Sequence, residues 1–336
     1  MIDDKLPLVK LKGVKKHYPI KKGIIPHTVG KVYAVDGVDL EIYKGETLGL
    51  VGESGCGKST IGRTMAALEK PTQGEIIYDG RVLNHSTSKE MKEIRTEIQM
   101  VFQDSYSSLN PRKRIFDILS PPRLYHKLST NESIRKDIEY YMDLVGLPGN
   151  SLEKYPHEFS GGQRQRIGIA RALSLNPRLI ICDEPVSALD VSVQAWVLNL
   201  LKDLQKELDL TLLFIGHGLD AVSYVSNRIA VMYLGKIVEI GPARELFTNP
   251  IHPYTKALYS AVPVADPAVK NREKIILQGE VPLNTEKKSG CSFYTRCPYA
   301  IEPCKTNVPP LEPTGEDKTH LVACPVTINH VNNIVS

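Results

Sequence analysis

Residues 52–60 read Gly-Glu-Ser-Gly-Cys-Gly-Lys-Ser-Thr and fit the spacing G-x-x-x-x-G-K-[ST]. Glycines at this spacing let the backbone wrap so that successive N–H groups point at phosphate oxygens, and the N-terminus of a following helix adds positive charge. The Lys58 ammonium can reach the β- and γ-phosphates, and the Ser59 hydroxyl can coordinate Mg²⁺. The pattern predicts a phosphate-binding loop formed by Ser54, Gly55, Cys56, Gly57, Lys58, Ser59 and Thr60.

The segments on either side support this interpretation. Residues 47–51 are mainly apolar and are predicted to form a buried strand, whereas residues 61–69 are predicted to form a helix. A glycine-rich turn with a chance lysine would account for the same residues. A strand before the loop and a helix after it are the context that a phosphate-binding loop requires, so the loop is preferred.

Two adjacent carboxylates, Asp183 and Glu184, end another apolar stretch at residues 179–182. A carboxylate at the end of a neighbouring strand can hold Mg²⁺, which is the role predicted for Asp183. Glu184 would face an attacking water as a general base. A strand that simply turns polar at the surface is the alternative, and the phosphate-binding loop makes the catalytic interpretation the better one.

These residues need a scaffold of alternating strands and helices. Residues 179–182 and 212–215 are predicted to be strands buried on both faces, and residues 193–208 carry leucine and valine at helical spacing. This alternation indicates an α/β fold with a largely parallel sheet.

Two other regions differ in composition. Residues of about 105–165 combine polar helices, such as 131–145, with turn-rich stretches that include Pro121 and Pro122, and they predict an inserted helical subdomain. After about residue 245 the chain becomes proline-rich, with 11 of the 23 prolines in residues 250–336. That part is not expected to continue the sheet. The predicted organisation is one nucleotide-binding domain at 1–250 and an extension at 251–336.

Charge and hydropathy exclude several classes of protein. The 42 Lys and Arg residues against 38 Asp and Glu residues give a net charge of +4, without the basic patch that a nucleic-acid-binding protein usually carries. The start of the chain lacks the basic and apolar pattern of a signal peptide. An apolar run long enough for a transmembrane helix is also missing. The expected location is the cytoplasm, or the surface of a membrane as a peripheral protein.

Further motifs resemble those of ATP-binding-cassette (ABC) ATPases, over residues 8 to about 250. Residues 159–166 (Phe-Ser-Gly-Gly-Gln-Arg-Gln-Arg) resemble the signature sequence, and residues 187–190 (Ser-Ala-Leu-Asp) resemble the D-loop. Gln103 resembles the Q-loop glutamine, His217 the switch histidine, and Tyr18 the aromatic residue that stacks on adenine. The resemblance implies a P-loop NTPase fold with a RecA-like, mostly parallel sheet, an antiparallel β subdomain, a helical subdomain and a small cysteine-containing appendage.

The resemblance also implies roles for these residues. The signature residues Ser160, Gly161, Gly162 and Gln163 would bind the γ-phosphate of ATP held by a second cassette. Gln103 would join Ser59 and Asp183 around Mg²⁺, and His217 would contact the γ-phosphate and orient the attacking water.

Some positions depart from the family pattern. Gly216 and Gly218 flank His217 where the family usually has Ser and Asp, and Phe159 replaces the commoner Leu. An insertion at residues 19–34 leaves Tyr33 as an alternative to Tyr18 for stacking on adenine.

The C-terminal region narrows the resemblance to the oligopeptide and dipeptide importers, and more to their F-type than their D-type ATPase subunit. The resembling segments are residues 252–258, 290–300, 309–311 and 320–324, with Cys304. The implied function is ATP hydrolysis that powers import of peptides, at the cytoplasmic face of the membrane. The implied partners are a second ABC ATPase, identical or not, two transmembrane permease subunits that contact Gln103 and residues 104–125, and indirectly a peptide-binding protein.

Four cysteines in this region, at intervals of five, six and nineteen residues, call for an explanation: Cys291, Cys297, Cys304 and Cys324. Disulfides are disfavoured in a cytosolic ATPase. Structural zinc usually uses a tight Cys-x₂₋₄-Cys pair, which this spacing lacks. A 4Fe–4S cluster needs four thiolates and tolerates longer loops, and members of the resembling family are expected to carry one here. The cluster is preferred to zinc and to metal-free thiols, with a structural role, whereas Cys56 and Cys182 are interpreted as packing residues.

Other functions remain as alternatives. An ABC ATPase for nickel, a sugar or an antibiotic peptide would share these motifs, because other subunits select the substrate. A soluble ABC ATPase that acts on nucleic acid or ribosomes would typically carry two cassettes or a long coiled coil, and neither is visible in this sequence. Nucleic acid is therefore not an expected partner.

Overall fold

The computed structural model describes residues 6–23, 27–104, 108–262, 284–286, 289–314 and 318–326, with residues 275, 277, 279 and 282. These residues form two compact units. The first unit comprises Ile42–Thr47 and His85–Ile215, with Leu6; the second comprises Pro7–Glu41, Leu48–Asn84 and the described residues from Gly216 onward.

The strands in chain order are β1 (Pro7–Lys22), β2 (His27–Tyr43), β3 (Thr47–Val51), β4 (Gln73–Tyr78), β5 (Arg81–Val82), β6 (Ile98–Val101), β7 (Leu179–Asp183), β8 (Thr211–Gly216), β9 (Arg228–Tyr233), β10 (Lys236–Pro242), β11 (Glu312–Pro313) and β12 (Leu321–Val322).

The α-helices are α1 (Lys58–Met65), α2 (Ser88–Glu97), α3 (Ile115–Tyr125), α4 (Ile134–Leu144), α5 (Gly161–Leu173), α6 (Val191–Glu207), α7 (Leu219–Val225), α8 (Ala243–Thr248) and α9 (Pro253–Ser260). Short 3₁₀ helices lie at Leu83–His85, Gly149–Glu153, Pro156–Glu158, Tyr294–Arg296 and Glu302–Lys305. None of the helices in the described ranges is both long and apolar enough to cross a lipid bilayer.

The first unit contains the parallel strands β6, β7 and β8. Leu179 of β7 pairs with Ile98 of β6 on one side and with Thr211 of β8 on the other. Every residue of β7 and β8 is buried, as predicted for strands that are covered on both faces. The predicted strands at 179–182 and 212–215 and the predicted helix at 193–208 are confirmed within two residues at each end.

The helical part of the first unit differs from the prediction that Pro121 and Pro122 lie in a turn-rich stretch. Pro121 and Pro122 do not interrupt the structure but lie inside α3, which continues to Tyr125. The next residue, Arg123, has a buried guanidinium that donates to the Tyr141 hydroxyl at 3.1 Å and to the Ser174 carbonyl. This side chain therefore ties α3 to α4 and to the end of α5.

The second unit contains an antiparallel sheet with the order β2-β1-β4-β5. Val9 and Leu11 of β1 lie opposite Tyr78 and Ile76 of β4 and are buried. Residues 19–22 and 27–34 extend β1 and β2, so most of the insertion noted in the sequence lengthens these two strands. The antiparallel β subdomain expected from the resemblance is present.

The second unit also contains the parallel pair β3 and β9, followed by antiparallel pairing of β9 with β10, β10 with β12, and β12 with β11. The prediction that the sequence after residue 250 does not continue the sheet is therefore wrong at its far end. Val322 of β12 is fully buried beside Glu239 of β10. Composition missed this pairing because two residues are too few to show a strand period. The domain boundary at residue 250 remains a prediction.

A buried polar cluster fixes the position of β12. His320 Nε2 lies 2.8 Å from Glu239 Oε1, and its Nδ1 lies 3.2 Å from Glu245 Oε1. The N–H groups of Ile251 and His252 donate to the two Glu239 oxygens at 2.9 Å and 3.0 Å. One fully buried carboxylate thus joins β10, the start of α9 and the segment before β12, and such a charge is tolerated inside a protein because it is paired and hydrogen-bonded.

The pKa values of two histidines near this carboxylate, His320 and His252, are shifted in opposite directions. Burial by itself lowers the pKa of His320, but the hydrogen bonds and the negative charges of Glu239 and Glu245 outweigh it, so the pKa of His320 is raised. His252 accepts a hydrogen bond from the Tyr254 N–H at Nδ1, and burial lowers its pKa to about 4. Of these two histidines, His320 is the one whose charged form is favoured by hydrogen bonds to neighbouring carboxylates.

We expect the His320→Gln substitution to lower the free energy of unfolding by about 1–3 kcal/mol near pH 6, because it removes the imidazole that pairs with the buried Glu239 carboxylate. A pKa that is raised in the folded state contributes stability below the unfolded pKa, and this contribution is lost as the pH rises through the folded pKa. The difference between the variant and the wild type should thus shrink toward pH 9. Urea unfolding between pH 6 and pH 9 measures it, and His85→Gln, which removes an exposed imidazole, is the control. If the difference in unfolding free energy did not change with pH, the prediction that His320 and Glu239 form a charged pair would be wrong.

Candidate functional site

The predicted phosphate-binding loop lies between β3, whose five residues are all buried, and α1. Gly57 has a φ of 110°, and a Cβ atom there would lie 2.0 Å from the Ala34 carbonyl oxygen. At Gly52 a Cβ atom would lie 2.2 Å from the Met232 carbonyl oxygen. Both positions exclude any side chain, because backbone packs directly against backbone.

Lys58 lies in the curve of this loop. Its buried ammonium donates hydrogen bonds to the carbonyl oxygens of Gly52 at 2.7 Å and Glu53 at 3.0 Å. The Lys58 ammonium is thus held inside the loop by two main-chain carbonyl oxygens. Its binding to phosphate stays a prediction.

Tyr18 lies beside the first turn of α1. Its hydroxyl donates to Glu69 Oε2 at 2.5 Å, and it shares a hydrogen bond with the side chain of Thr60. Burial raises the pKa of Tyr18, and the Glu69 carboxylate raises it further. The alternative aromatic residue, Tyr33, packs its ring edge against His17 at a centroid distance of 4.6 Å. The stacking role of Tyr18 stays a prediction.

Two cysteines away from the C-terminal group are packed in the interior. Cys56, in the loop, is buried, and burial raises the pKa of its thiol. Cys182, in β7, is fully buried, and burial raises its pKa to about 12. Both thiols are therefore protonated packing groups, and Cys56 contributes to the loop through its backbone.

The two predicted carboxylates lie at the end of β7. Asp183 is buried, and the next residue, Glu184, has a φ of 47°, in the left-handed region that side chains other than glycine rarely adopt. Its N–H donates to the Ile215 carbonyl at 3.0 Å. Strained backbone of this kind persists where surrounding contacts hold it, and it is typical of functional sites.

Gln103 contacts Glu184 directly. The Gln103 Nε2 group donates to Glu184 Oε2 at 2.8 Å, so the Q-loop residue holds the predicted general base. Sequence reasoning assigned Gln103 to Mg²⁺ and missed this contact, because 81 residues separate the two side chains. The Ser187 hydroxyl adds a hydrogen bond to the Glu184 carbonyl at 3.1 Å.

The signature segment forms the N-terminus of α5. The Ser160 hydroxyl accepts from the Gln163 N–H at 3.3 Å, and the Ser160 N–H donates to Gln163 Oε1 at 2.9 Å, which forms a reciprocal capping box. A Cβ atom at Gly162 would lie 2.3 Å from Val193 Cγ1 in α6, whereas at Gly161 the nearest atom would be 3.6 Å away. Gly162 therefore also serves the packing of α5 against α6.

The predicted site residues are divided between the units. The second unit holds Tyr18, the loop and His217, which is exposed directly after β8, whereas the first unit holds Gln103, Asp183, Glu184 and residues 160–163. The geometry of the predicted site residues is therefore described separately for each unit.

The four C-terminal cysteines are neighbours. The Cys291 N–H donates to the Cys304 carbonyl at 2.8 Å. Burial, together with the nearby Cys324, Cys291 and Cys304 thiols, raises the pKa of Cys297 to about 11. Within the described residues, however, no group of three or more His, Cys, Asp or Glu side chains is arranged to hold a metal ion. The thiols share one neighbourhood without the convergence of a formed metal site.

We expect the Gly57→Ala substitution to weaken ATP binding by at least about 100-fold, because a Cβ atom cannot fit 2.0 Å from a carbonyl oxygen and the loop must open. Titration with a fluorescent ATP analogue measures this loss. Gly80→Ala is the matched control, since Gly80 also has a positive φ, of 76°, but its Cβ atom would meet open space. Equal losses in the two variants would contradict the steric argument.

Comparison with known proteins places this geometry in a family. Residues 35–187 match the ABC transporter family, and residues 238–304 match the family described as oligopeptide/dipeptide transporter, C-terminal region. A solved dimeric structure of the ATP-binding cassette MJ0796, in a post-hydrolysis state bound to ADP and Pi, aligns with a TM-score of 0.62 and 31% identity, and the alignment covers 70% of this chain and 99% of that one.

Full-length relatives extend the match to both regions of the chain. The oligopeptide transport ATP-binding protein AppF of Bacillus subtilis is 52% identical over 320 residues, or 94% of this chain and 96% of the relative. OppF of Salmonella typhimurium is 49% identical over 331 residues, covering 96% and 97%, and the dipeptide transport ATP-binding protein DppF of Haemophilus influenzae is 48% identical over 326 residues, covering 96% and 98%. With its ABC cassette fold, the chain belongs to the family of ATP-binding proteins of oligopeptide and dipeptide ABC transporters.

Proposed function

We propose that this chain is the ATP-hydrolysing subunit that powers import of dipeptides or oligopeptides by an ABC transporter. The observation that carries the proposal is the Glu184 carboxylate, which sits in strained backbone beside the buried Asp183 and accepts a hydrogen bond from Gln103. The relatives of both matched regions are named as peptide transport ATP-binding proteins, which supports peptides as the substrate class.

The roles of the site residues follow from this proposal. Tyr18 stacks on adenine, Lys58 binds the β- and γ-phosphates, and the loop N–H groups surround them. Ser59, Asp183 and Gln103 are oxygen donors of the kind that Mg²⁺ prefers, and when bound there the ion supplies positive charge to the phosphates. The full ATP-binding set is Tyr18, Ser54, Gly55, Cys56, Gly57, Lys58, Ser59, Thr60, Gln103, Ser160, Gly161, Gly162 and Gln163.

Hydrolysis needs a base and an oriented water. The Glu184 carboxylate accepts a proton from the water as its oxygen attacks the γ-phosphorus, and the bond from that phosphorus to the β–γ bridging oxygen breaks to release ADP and phosphate. His217 contacts the γ-phosphate and orients the water. Gln103 keeps Glu184 in place through the hydrogen bond that it donates to one carboxylate oxygen.

The proposed partners follow from the family and from the signature helix. The capped N-terminus of α5 would contact the γ-phosphate held by a second cassette, identical or not. Two permease subunits would contact Gln103 and residues 104–125, of which 105–107 lie outside the described residues. A peptide-binding protein would deliver the substrate, and the chain would work as a peripheral protein at the cytoplasmic face of the membrane.

For the C-terminal cysteines we propose a structural 4Fe–4S cluster, with zinc as the alternative. Four thiols in one neighbourhood, and prolines after Cys297 and Cys324, are the donor set that supports it. Their side chains do not converge as ligands in the described structure, so no catalytic step is assigned to the cluster. Its role would be to hold together a segment that has little apolar core of its own.

We expect Glu184→Gln to lower ATP hydrolysis by about 100-fold or more while ATP binding is retained, because the amide cannot accept the proton from water. The measurement uses the chain reconstituted with its permeases in proteoliposomes, with ATP turnover and peptide uptake followed together. Glu207→Gln, at the exposed end of α6, is the matched control. Unchanged turnover in Glu184→Gln would overturn the assignment of the base. Uptake of nickel or a sugar in place of peptides would overturn the substrate class, and stimulation of turnover by nucleic acid or ribosomes alone would overturn the transport function.

We expect the chain, purified anaerobically, to be brown and to contain roughly four irons and four sulfides per chain. Absorption near 400 nm, with iron, zinc and acid-labile sulfide analysis, measures this. A colourless protein with one zinc per chain would show that zinc is bound in place of the cluster. A metal-free protein would contradict both the cluster and the zinc proposals.

A further inference from the structure

One side chain of the phosphate-binding loop has no assigned role in binding ATP. Glu53 faces the C-terminal segment, where Arg296 forms a two-pronged ion pair with it. Arg296 Nη1 lies 2.8 Å from Glu53 Oε2, and Nη2 lies 3.2 Å from Oε1. Only 8% of the Arg296 side chain and 23% of the Glu53 side chain are exposed. A shielded, bidentate guanidinium–carboxylate pair has both a preferred geometry and a stronger attraction than a surface pair.

The backbone of Glu53 is held as well. Its N–H donates to the hydroxyl of Tyr254 in α9 at 2.8 Å, and its carbonyl oxygen accepts from Lys58 Nζ at 3.0 Å. Tyr254 is fully buried. The side chain, N–H and C=O of this one residue are thus fixed separately, and its peptide groups lead directly into the N–H groups that are predicted to face phosphate.

An aromatic cluster holds the partners of Glu53. Tyr254 packs against Tyr233 of β9 at a ring-centroid distance of 4.7 Å, and Phe293 packs against Tyr233 at 5.2 Å and Tyr254 at 5.5 Å. Phe293 is buried and lies three residues before Arg296. The 3₁₀ helix Tyr294–Arg296 itself lies between Cys291 and Cys297. The segment between Cys291 and Cys297 therefore positions Arg296 next to Glu53 of the loop.

We propose that Arg296 is a positioning residue for the ATP-binding loop and that the segment between Cys291 and Cys297 sets the affinity for nucleotide through the Arg296–Glu53 pair. The inference rests on the proposed ATP-binding function and adds to it a control point outside the cassette motifs. Arg296 does not touch the nucleotide. It acts by restraining Glu53, so that the loop keeps its N–H groups turned toward the phosphates before ATP arrives.

The test is a double-mutant cycle on the full-length chain, with the variants Arg296→Gln, Glu53→Gln and both together. Direct titration with a fluorescent ATP analogue gives the dissociation constant, and turnover in the assembled complex gives KM and kcat. We expect each single variant to bind about 10- to 100-fold more weakly, with KM raised and kcat at saturating ATP within about threefold of the wild type. The double variant should bind no more weakly than either single variant, because both remove the same interaction.

Two further variants separate positioning from a general loss of structure. Arg296→Lys should recover part of the affinity, since it restores the charge but not the two-pronged geometry. Lys305→Gln, which breaks an exposed ion pair with Glu302 in the same segment, should bind ATP like the wild type. Glu53→Gln leaves the cysteine segment unaltered, so it tests the pair even where Arg296→Gln folds poorly.

The inference is overturned if Arg296→Gln binds nucleotide as tightly as the wild type, if the losses of the two single variants add in the double variant, or if Lys305→Gln loses as much affinity as Arg296→Gln. Failure of the proposed function looks different. In that case the wild-type chain itself does not bind ATP, or binds it without turnover in the assembled complex.

Discussion

Close approach of backbone to backbone around residues 52–57 is the constraint on which the second unit depends. The loop has no room for side chains at Gly52, which packs on the Met232 carbonyl, or at Gly57, which packs on the Ala34 carbonyl. The Gly235 N–H closes the arrangement with a hydrogen bond to the Cys56 carbonyl at 2.9 Å. Strands β2 and β9 thus form the wall of the loop.

The same loop is a point of attachment for the C-terminal region. At Glu53 the backbone N–H donates to the Tyr254 hydroxyl, and the side-chain carboxylate pairs with Arg296. The cost of bringing these polar groups into the interior is offset by the hydrogen bonds of the Glu53 pair and of the Glu239 carboxylate next to β12. The extension is therefore attached through buried polar contacts as much as through an apolar core.

In the first unit, functional geometry and packing share the same residues. Glu184 adopts a left-handed conformation that the Ile215 carbonyl and Ser187 help to hold, and Gln103 restrains its carboxylate. Gly162 lies at a predicted ATP contact and also at the point of close contact between α5 and α6. A position with two such roles tolerates no larger side chain, even where the chemistry alone would allow one.

Local pattern determined a large share of this protein. The spacing of glycines with Lys58 predicts the loop, and the apolar stretches before Asp183 and His217 predict β7 and β8. These features depend on residues within one or two turns of each other, which sequence displays directly. The family motifs then predict which residues act on ATP.

Tertiary structure decided the contacts between residues far apart in the chain. The Gln103–Glu184 hydrogen bond joins residues 81 positions apart, and the Arg296–Glu53 pair joins residues 243 positions apart. The pairing of β12 with β10 brings Val322 beside Glu239, 83 positions earlier in the chain. Their side chains have no local period that would reveal these contacts. Sequence by itself determined which groups could do chemistry. Only the packed fold decided which of them hold one another in place, because a hydrogen bond or an ion pair is specific only once burial has removed the competing water.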